Sequence, residues 1–219
     1  MATYYSPRIV TDGLLFYVDG LNRKSYSGSG TAVLDLSGNG YTGALTNGTT
    51  ITTDGSISLD GSDDYVNVSA GASILPTASY TKMAFINASS FATSNNIISG
   101  GNTGQHAFWL AGGTNFQAGH NGFWNVVVST TSLVTGRWYF GAVSFSSTNG
   151  WKLYVNGVRE ATSASTTTFS GGTGNVYVGA YDAGNTFTGR ISCPLVYSRE
   201  LTADEVLQNF NAIRGRFNI

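Results

Sequence analysis

Residues 150–160, GWKLYVNGVRE, set two apolar-alternating runs on either side of Asn156-Gly157. Asn-Gly tolerates positive φ at both central positions of a type I′ turn, whose twist matches that of paired antiparallel strands. With Asn156 and Gly157 as the turn, Val155 faces Val158 and Tyr154 faces Arg159. Trp151, Leu153, Val155 and Val158 then share one face, and Lys152, Tyr154 and Arg159 the other. A hairpin specified at this level declares a β protein.

The composition agrees. The chain has 219 residues, 29 Gly and three Pro, is 41% hydrophobic and only 11% charged. That length suits one large all-β domain, read here as residues 1–219. High net charge and few aromatics would signal disorder, but the net charge is −1 and aromatics are 13%. With no basic run, a nucleic-acid partner is not expected. No apolar run approaches the length of a membrane span, so no membrane insertion is expected. The single cysteine, Cys193, rules out an internal disulfide framework and reads as a small buried hydrophobe. The first twenty residues show no basic segment followed by an apolar one, so no secretory signal is expected.

Working outward from the hairpin, short strands recur with polar turns between them. They are read at residues 14–18, 57–59, 65–68, 81–87, 97–98, 107–110, 115–118, 124–129, 138–145, 176–181 and 190–197. SGSG at 27–30 and LSGNG at 36–40 are loops. Pro194 falls inside the last strand and removes a ladder donor, which implies an edge or a bulge. One helix follows. Thr202-Ala203-Asp204-Glu205 is a capping box, Leu201 and Val206 are placed as a hydrophobic staple, and Val206, Phe210 and Ile213 recur on one face. The helix is expected to end near Arg214-Gly215 and to dock on a sheet.

The ordered set GLLFYVDG (13–20), DLSGNG (35–40), LDGSDDYVNV (59–68), GRW (136–138), WKLYVNG (151–157), the strand at 189–199 and LTADE (201–205) resembles the laminin-G-like branch of the concanavalin A-like lectin/glucanase superfamily. The resemblance covers nearly the whole chain. It implies an all-β jelly-roll sandwich of two antiparallel sheets with one short C-terminal helix. The wording of DLSGNG, LDGSDDYV and LQNFNAIRGRF is similar to versions in structural proteins of tailed bacteriophages. The same sandwich serves glycan binding, glycoside hydrolysis and protein adhesion, so function has to be read from particular residues.

Hydrolysis in the glucanase branch uses closely spaced carboxylates on one strand. The three Glu residues, Glu160, Glu200 and Glu205, do not supply such a pair, and the cluster Asp60, Asp63 and Asp64 sits in a turn where short carboxylates bond their own backbone. No catalytic residue is expected, and Trp151 and Glu160 read as packing and solvent-edge residues. No cofactor is implied beyond a structural Ca²⁺ that the resemblance suggests, with Asp19 and Asp35 as ligand candidates beside Asn39 and the Asp60 turn. Asx-turn chemistry is the competing reading for all of them. Many relatives carry acidic residues after the Gly-x-Ile of the closing strand, where this chain has Ser192-Cys193.

Sugar C–H faces pack on aromatic rings, and amides or imidazoles bond hydroxyls. His106 and Trp109, then His120, Asn121, Phe123 and Trp124, offer such a set, and Tyr181, Asp182 and Asn185 form a similar loop group. Trp109 equally suits a sheet face, and Trp124, after a His-Asn-Gly turn, is expected to be the exposed ring. The expected role is non-enzymatic: a lectin-like jelly roll on the surface of a tailed-phage virion, made in the host cytoplasm. Its partners would be cell-surface carbohydrate, capsid or tail proteins, and other copies of itself in a homo-oligomer. The alternatives are a cellular lectin or carbohydrate-binding module, and a glycoside hydrolase.

Overall fold

The computed structural model describes residues 7–69, 74–92, 94–100, 105–169 and 174–219. The expectation drawn from the N-terminal stretch falls partly on residues 1–6, outside that set.

The larger layer is an eight-stranded antiparallel sheet. Its path begins at the hairpin strands β15 (Val158–Ser163) and β14 (Gly150–Val155), and continues through β13 (Tyr139–Ser146) and β7 (Ser79–Ala88). It ends at β17 (Thr188–Tyr197), β5 (Ile57–Asp60) and β4 (Thr50–Ile51), while β1 (Leu14–Tyr17) pairs with the far end of β17. The facing layer is split. A five-stranded sheet runs β2 (Ala32–Leu34), β3 (Thr42–Thr46), β6 (Tyr65–Val68), β16 (Val176–Val178) and β9 (Ile98–Ser99). A four-stranded sheet runs β12 (Phe123–Val128), β11 (Gln117–His120), β10 (Ala107–Ala111) and β8 (Ser94–Asn96).

The hairpin forms in the expected register. Asn156 and Gly157 have φ of 49° and 80°, Val155 faces Val158 and Tyr154 faces Arg159. Trp151, Leu153 and Val155 are buried between the layers with Phe145, Val143 and Ile86. Val158 pairs with Val155 but is not buried with it: it is 64% exposed. The other face of the hairpin is also dry at Tyr154, which packs with Met83, Phe85, Phe140 and the helix residues Val206, Phe210 and Ile213.

Helix α1 (Ala203–Ile213) seals that outer face. Thr202 Oγ1 accepts from the Glu205 N–H, and the Glu205 carboxylate accepts from the Thr202 N–H. Glu205 also pairs with Arg199, and Leu201 and Val206 are fully buried as a staple. In β17 a bulge lies between Ser192 and Leu195, with Cys193 at φ 50°, which accommodates Pro194 while the strand keeps both neighbours.

A strand expected at 115–118 runs instead over Gln117–His120, so His120 is a strand residue rather than a loop residue. Its ring is 2% exposed and packs on Phe145, Trp151 and Phe169. His120 Nε2 lies 2.6 Å from the Thr167 carbonyl, which can only accept. Nε2 therefore carries the proton, and Nδ1 accepts from Tyr80 Oη at 3.2 Å. His106 is buried as well, with Nδ1 2.6 Å from Lys82 Nζ, and Lys82 also donates to the Ile98 carbonyl. Burial holds Lys82 well below the usual lysine range and, together with Lys82 and His120 nearby, holds His106 well below its own. Burial also brings His120 down to about 4, against the Thr167 hydrogen bond that favours its charge. The core between the layers thus contains a basic cluster in which burial disfavours the charged form of each member.

Two outcomes follow from this packing. A Cβ at Gly157 would stand 2.9 Å from Leu207 Cδ1 and 3.0 Å from Phe210 Cδ1, at a φ that disfavours any side chain. Gly157→Ala is expected to lower stability by about 1–3 kcal/mol in urea denaturation; a wild-type midpoint would mean that the helix does not press on the turn. The second outcome concerns pH. Between pH 6.5 and about 4 the unfolded chain takes up histidine protons that the folded chain refuses, so stability falls as pH falls. The expected slope is about 1 kcal/mol per pH unit per histidine, read from denaturation midpoints at pH 7, 5.5 and 4.5. A flat profile over that window would show that the folded protein protonates them as readily as the unfolded chain does.

Candidate carbohydrate-binding site

Phe108 and Leu110 of β10 point into the core, so Ala107 and Trp109 stand on the outer face of the four-stranded sheet. Trp109 lies directly opposite Asn96 of β8. Two strands further across the sheet, on β12, Trp124 is half-buried, and its carbonyl accepts from Trp109 Nε1 at 3.0 Å. The loop after β16 closes over this face. Asn96 Nδ2 donates to the Asn185 carbonyl and to the Ser94 carbonyl, both at 2.9 Å, while Asn96 Oδ1 accepts from Ser99 Oγ at 2.7 Å. Tyr181 bridges to Gly184 through backbone hydrogen bonds, with Asp182 and Ala183 at positive φ in the tight turn between them. That loop sets the Tyr181 ring edge-to-face on Trp124, centroids 5.4 Å apart and planes at 86°.

These residues surround a cleft of about 290 Å³, lined by Ser94, Asn96, Ala107, Trp109, Trp124, Tyr181 and Asn185. The structure therefore joins two groups that lie far apart in sequence, Trp109 with Trp124 and Tyr181 with Asn185. Burial, with Asp182 adding to it, raises the Tyr181 phenol, so the hydroxyl stays protonated and can donate.

The other sequence candidates fall elsewhere. His106 and His120 belong to the buried basic cluster and do not reach the cleft, because the inward side of the strand pleat carries them. Asn121 forms, with Gly122, the tight turn between β11 and β12, at φ 58° and 82°. Asp182 is a turn residue on the rim. The fully projecting ring at the β11–β12 turn is Phe123, 66% exposed, rather than Trp124. Ser94 and Asn96 were not legible beforehand: a three-residue polar strand carries no periodicity, and the only hint was polar Asn95-Asn96 immediately before buried Ile97-Ile98.

The carboxylates carry out structural tasks. Glu160 accepts from the backbone and hydroxyl groups of Thr130 and Thr131, Glu200 pairs with Lys152, and Glu205 pairs with Arg199. Hydrogen bonds hold Glu160 below the usual range, and those from Arg199 bring Glu205 down to about 2. Asp35 accepts from the Tyr17 and Ser37 N–H groups and the Ser37 hydroxyl, and Asp19 accepts from the Leu21 N–H and pairs with Arg216. Asp60, Asp63 and Asp64 bring carboxylate oxygens within 4.8 Å of one another, the one such acidic group among the described residues. There Asp60 accepts from the Ser62 N–H and Asp64 from the Asp60 N–H, which is turn chemistry.

The fold has solved counterparts. Domain 4 of an extracellular arabinanase from Geobacillus stearothermophilus, solved with arabinotriose, superposes with TM-score 0.69 at 19% identity, over 90% of this chain and 97% of that one. The botulinum neurotoxin serotype D ligand-binding domain, solved with N-acetylneuraminic acid, gives 0.69 at 15%, over 93% of this chain and 52% of that one. A Trypanosoma rangeli sialidase solved with sialic acid gives 0.70 at 11%, over 99% and 37%. The chain thus spans about half of the neurotoxin domain and little more than a third of the sialidase. At these identities the likeness is one of fold. No curated protein sequence matches the chain at a significant level. A model of the concanavalin A-like lectin/glucanases superfamily, laminin G type, matches residues 60–207. With that match covering more than half of its length, on a two-layered antiparallel sandwich, the chain belongs to the concanavalin A-like lectin/glucanases superfamily.

Proposed function

We propose that the protein binds carbohydrate without cleaving it, and that the cleft between β8, β10, β12 and the loop after β16 is the binding site. The observation that carries this reading is the set of three aromatic side chains, Trp109, Trp124 and Tyr181, around a cleft that also presents Ser94, Asn96 and Asn185. Rings supply a surface for sugar C–H faces, and the hydroxyls and amides supply donors and acceptors for sugar hydroxyls. Asn96 acts by positioning, since its amide holds both the β8 backbone and the Asn185 loop. A glycosidase would need an acid of raised pKa facing a second carboxylate across the sugar. Glu160 and Glu205 are lowered instead, and all three glutamates hold loops or ion pairs in place.

The finer reading is a surface component of a tailed-phage virion, on capsid or tail. Its support is the phage-like wording of DLSGNG, LDGSDDYV and LQNFNAIRGRF. A cellular carbohydrate-binding module would use the same cleft.

Trp124→Ala is expected to weaken glycan-array binding at least about thirtyfold while leaving the melting temperature near wild type, since its backbone carbonyl remains to hold Trp109. Equal binding by mutant and wild type would remove Trp124 from the site, and release of reducing sugar by the wild type would overturn the non-enzymatic reading. For the finer reading, mass spectrometry of purified virions is expected to find the protein at a copy number matching capsid or tail symmetry. Its absence from virions would leave the cellular module.

A further inference from the structure

A second cavity lies on the opposite face of the sandwich, between the hairpin and the start of α1. It measures about 460 Å³ and is lined by Asn149, Lys152, Tyr154, Arg159, Glu200 and the residues that open α1, Leu201 to Ala203. Register explains the grouping. Lys152 and Tyr154 alternate on one face of β14, and Arg159 is the cross-strand partner of Tyr154.

The groups in this cavity are unequally committed. Both Glu200 oxygens are occupied, one by Lys152 and the other by Asn149 Nδ2 at 2.8 Å. Arg159 is exposed and takes part in no ion pair among the described residues. Tyr154 is 1% exposed, yet its hydroxyl has no hydrogen-bond partner among the described residues. Ser144 is near enough to favour the phenolate, but the two hydroxyls do not form a hydrogen bond of good geometry, and Ser144 Oγ is itself unpartnered among the described residues. The first N–H groups of α1, at Ala203 and Asp204, are ones that a helix leaves without an internal acceptor. Each of these uncommitted groups can donate, and the Tyr154 hydroxyl can accept as well. Two cations face one carboxylate in the lining, so the cavity carries an excess positive charge there, while Asp204 and Glu205 in the first turn of α1 offset the helix N-terminus.

We propose that this cavity is a binding site for an oxyanion, a carboxylate, sulfate or phosphate group carried by a ligand, gripped by the Arg159 guanidinium and the Tyr154 hydroxyl. The guanidinium fork matches two oxygens of such a group at once. The Tyr154 hydroxyl gains the acceptor that its burial otherwise denies it. Lys152 contributes charge while remaining held by Glu200. This site is independent of the aromatic cleft and stands or falls without it.

The test is a titration of the full chain followed by arginine side-chain and backbone amide resonances. The probes are glucuronate, sulfate and inorganic phosphate, with glucose and chloride at matched ionic strength as controls. Arg159 Nε–H, assigned by its loss in Arg159→Gln, is expected to shift saturably with at least one oxyanion and with neither control. Arg159→Gln is expected to weaken binding about tenfold or more, followed at the Ala203 amide, and Tyr154→Phe, which keeps the packed ring, about threefold to tenfold. Saturation by glucuronate alone identifies a carboxylate ligand, and by sulfate or phosphate alone an ester; either supports the site. Shifts that rise linearly and match chloride, or binding undiminished in Arg159→Gln, would overturn it. Trp124→Ala is expected to leave this titration unchanged.

Discussion

Strand β7 is dry on both faces, and most of the molecule is arranged to keep it so. Tyr80, Lys82, Ala84 and Ile86 face the layer opposite, while Met83 and Phe85 face outward. A strand in the middle of an open antiparallel sheet ordinarily leaves one face to water. Here the outer face must be covered, and the chain covers it with its own C-terminal segment: Leu201, Val206, Phe210, Ile213 and Phe217 pack on Met83, Phe85, Phe140 and Leu195. The stacked rings of Phe85 and Phe217, 4.7 Å apart, close that second core. The capping box is therefore more than a local stop signal, because it fixes where the covering helix starts and so where it lies on the sheet.

The features legible in the sequence were the local ones. Asn156-Gly157 set its own turn, Thr202 to Glu205 set their own cap, and Pro194 announced a bulge, because each depends on residues within a few positions. Long-range placement was not legible. Leu59 and Tyr65 flank one short turn yet enter opposite layers, since β5 joins the larger sheet and β6 the five-stranded one. The histidines failed for the same reason. His120 stands beside an Asn-Gly turn and reads as a loop residue, but the strand runs two residues later than expected and takes it into β11, with its ring among Tyr80, Phe145 and Trp151. Trp109 reads as ordinary sheet packing, and only the partner strand and the Asn185 loop turn its outer face into one side of a cleft.

The buried basic cluster bears on specificity of folding rather than on ligand chemistry. Lys82 sits where the pleat offers an apolar slot, and its amine is satisfied by a carbonyl and an imidazole instead of a carboxylate. Such a group is tolerable only in its neutral form, since an unpaired charge in the interior is strongly disfavoured. Tyr80, His120 and the Thr167 carbonyl form a second such set beside it, so two groups of polar contacts lie where the layers meet. A wholly apolar slot would pack as tightly but would define the alignment of the layers less sharply.

The two cavities differ in a way that the fold alone would not dictate. Among the described residues the aromatic cleft has no charged residue in its lining, and its polar groups are neutral hydroxyls and amides. The cavity beside α1 has the opposite character, with cations, a buried phenol and helix N–H groups converging on one small volume. One lies on the outer face of the four-stranded sheet and the other on the outer face of the eight-stranded sheet, so a ligand short enough to fill one cannot reach the other. Sandwiches that superpose on this chain do so at 11–19% identity, so what they share with it is the backbone fold. In this chain both cavities draw on outward-facing positions of β8, β10, β12, β14 and β15, where alternation frees a residue from the core without changing the fold.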